Sequence, residues 1–140
     1  MKKLFVAVLT TITVGASADI CTDLTNLVQE SSQLTSELQA AKQGFNGESS
    51  SDFMNRVLIA AARRILDLTS KTMSKIGVSP LGESVSDYTD GIRLLQDVDS
   101  GEVSVGAAGA ILNRGGLSRL DKMRLDVISR AQIASTQCPQ

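Results

Sequence analysis

Apolar and polar residues recur along this chain with a helical period almost throughout. Past an apolar opening, Ile20, Leu24, Leu27, Ser31, Leu34, Leu38 and Ala41 follow one another at intervals of three and four. That spacing lays a single stripe on one face of a helix ending near Gly44. A polar, glycine-bearing connection runs from Asn46 to Ser50, and Ser49 or Ser51 can accept from the free amides of the next helix. The second helix is predicted from Asp52 to Ile76. Its buried stripe is Met54, Val57, Leu58, Ala61, Ile65, Leu68, Thr72 and Ile76, with Gly77 placed to end it and Pro80 beyond.

Residues 77–83 read as a loop. Ser84 and Asp87 have the spacing of a capping pair and open a third helix through Val85, Tyr88, Ile92, Leu95 and Val98, closed by Asp99-Ser100-Gly101. From Val103 to Arg114 the residues are small and rich in glycine. The pattern predicts a short helix pressed against its neighbours, with a loop as the alternative, because each internal glycine costs about 1 kcal/mol relative to alanine. Gly115-Gly116 break the chain, and Ser118 with Asp121 caps a last helix. Its stripe is Leu117, Leu120, Arg124, Val127, Ala131, Ala134 and Cys138, widened by Met123 and Ile128. Arg124 interrupts that stripe. Its expected place is the edge of the face, stem over the core and head in water.

The apolar opening has a different character. Met1-Lys2-Lys3 precedes an apolar run from Leu4 to Val14 and then Gly15-Ala16-Ser17-Ala18, the order of a secretory signal peptide of residues 1–18 cut after Ala18. The run is shorter than the roughly 20 residues that span a bilayer. The expectation is therefore an exported protein, periplasmic first and extracellular second, whose mature part, 19–140, is one helical domain not inserted in a membrane. Cys21 and Cys138 are the two cysteines and stand near the two ends of that domain. Export puts them where disulfides persist. A bridge between them sets the first and last helices side by side and antiparallel. The fold expected is all-α, a small four- to five-helix bundle, mainly up-and-down.

Charge is segregated along the chain. Residues 19–52 carry six acids and one base, 53–76 one acid and five bases, 77–104 six acids and one base, and 105–140 two acids and five bases. An up-and-down bundle lays these unlike segments beside one another. The net charge of −1 becomes −3 without Lys2 and Lys3, which gives no attraction for nucleic acid.

Candidate chemistry is sparse. The chain has no histidine, so a dedicated metal site, covalent haem and a nucleophile–histidine pair are not expected, and the cofactor expectation is none. Gly106 to Gly109 lacks the lysine and hydroxyl of a phosphate loop. Asp87 and Asp90 share a helix face, as a carboxylate dyad would and as solvated helices commonly show. Arg63 and Arg64, in the middle of the second helix, are the candidate contacts for an anionic partner. Their alternative role is to cover the core and pair with a neighbouring acid. The functional expectation is an exported, non-enzymatic protein that binds another protein, as a periplasmic inhibitor, an immunity-type antagonist or an accessory factor. The alternatives are a self-assembling envelope or secretion component, homo-oligomeric, and a small carboxylate-dependent hydrolase.

Overall fold

The structure, a computed structural model, describes residues 11–44 and 51–135, with side chains over 20–40 and 52–133. Residues 1–10 of the expected signal peptide, the polar connection at 46–50 and Cys138 lie outside the described residues. What is described is all-helical: α1 (Thr11–Gly44), α2 (Ser51–Ile76), α3 (Glu83–Ser100), the short α4 (Val105–Ile111) and α5 (Leu117–Ser135), the last two joined by a kink at Leu112–Gly116. The α1 helix runs unbroken across the Ala18–Asp19 junction. Among the described residues no helix is long and apolar enough to cross a membrane.

The ion pairs fix how neighbours run. Arg64 pairs with Glu37, Lys71 with Glu30 at 2.9 Å and Lys75 with Asp23 at 3.7 Å. Numbers rise on α2 as they fall on α1, so the two are antiparallel. Arg63 meets Asp99, and the Ser70 hydroxyl lies 3.1 Å from the Tyr88 hydroxyl, which makes α2 and α3 antiparallel in the same way. The opposite charges of successive segments thus meet across helix interfaces.

The α2 helix is central and touches every other element. It buries two faces instead of one. Leu58, Ile65, Leu68 and Thr72 of the expected stripe are buried, and so are Ile59, Ala62, Leu66 and Thr69. On α1, Leu24, Leu27, Ser31, Leu34 and Leu38 are all buried. Each large aliphatic side chain so covered contributes about 1.5–3 kcal/mol relative to exposure, and a helix packed on both sides collects twice the stripe.

Two local features differ from the sequence expectation, and a third agrees with it. The Ser84–Asp87 cap does not form, because α3 starts two residues earlier, after Gly82, with no side-chain cap; Ser84 is already within the first turn. The glycine-rich stretch is helical, as its pattern predicts, and Ser104 caps it by accepting from the Ala107 amide at 3.1 Å. A Cβ on Gly109 would lie 2.6 Å from the Asn55 Cβ and closer still to the rest of that side chain, so glycine is what lets α4 approach α2. The second difference is Arg124, which does not snorkel: its side chain is fully buried. Its Nη1 donates to the Ser31 carbonyl and hydroxyl, its Nη2 to Thr35 and Asp121, and its Nε to Asp121. All five of its donors are satisfied, which is the condition for burying a guanidinium.

Candidate functional site

Asp87, Asp90, Gly91, Leu94 and Asp97 on α3 share one face, since residues three, four and seven apart stack along a helix. The opposite wall comes from the end of α4, the kink and the start of α5. At the kink Gly115 takes φ +117°, a backbone conformation that residues with a Cβ rarely adopt. The kink brings Ile111, Leu112, Arg119 and Leu120 to face α3. Between the two walls lies a cleft of about 310 Å³.

The floor of the cleft is apolar and its rim is charged. Leu112 and Leu120 are buried and Leu94 is half-buried, while Ile111 at the lip is 45% exposed. Arg119 reaches Asp87 across the cleft at 4.0 Å. Asp90, Arg93 and Asp97 also line it, and none of the three has an ion pair among the described residues. The lining holds no serine, threonine or cysteine. Its chemistry is that of a grip for an apolar side chain flanked by charge; its carboxylates are the groups able to move a proton. Among the described residues no cluster of three acids or cysteines is placed to hold a metal ion.

Arg63 and Arg64 do not converge. One residue advances about 100° around a helix, so Arg63 turns to α3 and Arg64 to α1. Arg63 holds Asp99 through its two terminal guanidinium nitrogens, with Nη1 at 3.1 Å from Oδ2. That hydrogen bond holds the Asp99 carboxyl below its ordinary range and raises Arg63. Arg64 pairs with Glu37 and edges a smaller hollow of about 210 Å³ between α1 and α2 that also touches Glu30, Asp67 and Lys71. Cys21 is half-buried on α1.

Sequence reasoning singled out Asp87 and Asp90 as a same-face pair but not the cleft they border. The signal was present in the excess of acids over residues 77–104. No family model matches the chain, and no curated protein or solved structure matches it.

Proposed function

We propose that this chain is exported by a signal peptide cut after Ala18 and acts in the periplasm by binding another protein, as an inhibitor, an immunity-type antagonist or an accessory factor. The cleft between α3 and the α4–α5 kink carries this reading: an apolar floor with unpaired charges at its rim and no serine, threonine or cysteine in its lining suits recognition of a polypeptide better than turnover of a substrate. A partner that used Arg63 and Arg64 instead would have to displace Asp99 and Glu37 from them.

Within the same reading, Cys21 and Cys138 are bridged and α1 and α5 run antiparallel. Two observations support this. Cys21 is not a free thiol. Arg124 stands against Ser31 and Thr35, so α1 and α5 meet ten residues after Cys21 and fourteen before Cys138 along the sequence.

One feature favours a second reading, a carboxylate-dependent hydrolase: Asp87, Asp90 and Asp97 line the same cleft. The self-assembly alternative has less to stand on, since the apolar stripes of α1 and α5 that would supply a joint are buried in the chain's own core.

The test is in-cell crosslinking of the tagged chain in its native host, followed by mass spectrometry and N-terminal sequencing. A mature protein starting at Asp19 and a stoichiometric adduct with one other protein support the proposal. Adducts with itself alone, or a protein retained in the cytoplasm, contradict it.

A further inference from the structure

Resting on the protein-binding reading above, we infer that the cleft between α3 and the α4–α5 kink docks a basic amphipathic helical segment of a different protein. That segment sets an apolar side chain on the floor formed by Leu94, Leu112 and Leu120 and places bases against Asp90 and Asp97.

The distribution of neutralised charge over the bundle points to this occupant. Every base of α2 is matched: Arg56 by Asp52, Arg63 by Asp99, Arg64 by Glu37, Lys71 by Glu30 and Lys75 by Asp23. Those pairs use Asp23, Glu30 and Glu37, the acids of α1 whose side chains are described. The α3 region is different. Residues 83–102 hold six acids and one base, and Asp99 and Asp87 reach bases on other helices. Glu83, Asp90, Asp97 and Glu102 have no ion pair among the described residues. Asp90 and Asp97 both line the cleft, as does Arg93, likewise without an ion pair among the described residues, and with Asp87 facing Arg119 the lining keeps a net negative charge beside the apolar floor.

The spacing narrows the occupant further. Asp90 and Asp97 are seven residues apart, two turns or about 10.5 Å along α3. A helix lying along the cleft with bases two turns apart meets both, and an apolar residue between them faces the floor, the helix-in-groove mode of recognition. Among its described residues a second copy of this chain offers no such segment. Of its bases without an ion pair among the described residues, Arg93 lines the cleft itself, and Arg114 and Lys122 sit on different elements.

The probe is a synthetic leucine–lysine helical peptide with lysines two turns apart, titrated into the isotope-labelled full chain at physiological salt. Amide shifts should concentrate in residues 87–97 and 111–120. The D90K/D97K double variant should bind at least about tenfold more weakly, because charge reversal turns attraction into repulsion. The E83K/E102K variant, with the same change in net charge away from the cleft lining, should stay within about twofold, and a leucine–glutamate peptide should not bind. Equal melting temperatures of the variants serve as the fold control. Absence of binding, shifts centred elsewhere, equal binding of the acidic peptide, or equal weakening by both double variants overturns the inference. A native partner captured equally by wild type and D90K/D97K also overturns it while leaving the protein-binding reading intact; a wild-type chain that captures none defeats that reading instead.

Discussion

Arg124 of α5 and Ser31 of α1 are joined through a single guanidinium nitrogen, Nη1, which donates to the Ser31 carbonyl at 2.9 Å and to its hydroxyl at 2.6 Å. Both residues are buried. Ser31 interrupts a leucine stripe and Arg124 interrupts the stripe of α5, so each polar residue makes the other tolerable. A polar pair at a matched core position sets register, because sliding either helix by one turn would leave a guanidinium against leucine.

Arg124→Ala should therefore destabilise the protein by about 3–5 kcal/mol, since it opens a cavity and strands the Ser31 hydroxyl and Asp121. Arg124→Lys should fall between, because an ammonium keeps the charge and loses the planar fork. In the S31A/R124M double variant, with both sides of the contact removed, much of the loss should return. Chemical denaturation of the four chains checks this; equal costs for R124A and S31A/R124M would show that the pair is not coupled.

The close approach of α4 to α2 makes a second prediction. In an open helix Gly109→Ala would gain about 1 kcal/mol. Here the added methyl meets the Asn55 Cβ at 2.6 Å, and the net effect should be a loss of about 1–3 kcal/mol. Combining it with Asn55→Gly should recover part of that loss. A G109A chain as stable as wild type by thermal melting would contradict the packing.

How much of this was legible in the sequence depended on whether a feature was local. The period of three and four residues located α2 to within a residue, because apolar spacing along one helix reports one buried face. It missed Ile59, Ala62, Leu66 and Thr69 because a central helix has a second face, and which helix is central is decided by tertiary packing. Arg124 was read as an edge residue because charges are rarely buried, and the overlooked clue was Ser31 in the opposite stripe. Charge segregation did anticipate the α1–α2 and α2–α3 ion pairs. The cleft was not legible: Asp87 and Asp90 were visible as neighbours, but the wall of Ile111 and Leu120 depends on the direction in which the chain turns at Gly115, and two glycines announce a break without its geometry.

The Arg63–Asp99 pair predicts a pH dependence. Its hydrogen bond holds the folded Asp99 carboxyl below the ordinary value, so the contribution is present at neutral pH and fades as pH falls below about 4, through the lowered folded value. Asp99→Asn should lower the melting temperature by at most a few degrees at pH 7, as befits an exposed pair, and the difference should shrink as pH falls below about 4. A difference that persists unchanged into strong acid would assign it to packing instead.

The proposed Cys21–Cys138 bridge closes nearly the whole mature chain. Cys138→Ser should lower stability by roughly 4–5 kcal/mol in the chain-entropy limit, and by less if the reduced chain stays compact. The helical circular dichroism at room temperature should survive, because the buried stripes of α1, α2 and α5 remain. An unchanged melting temperature under oxidising conditions would mean that no bridge forms.

The most direct test of the binding role is site-specific photocrosslinking in the native host. A photoreactive residue replaces Ile111 at the lip of the cleft in one chain and Ser129, exposed on α5, in another. Attachment of one other protein from position 111, and none from position 129, is the outcome expected if the cleft is where a partner docks. Equal labelling from both positions, or products containing only this chain, would contradict it.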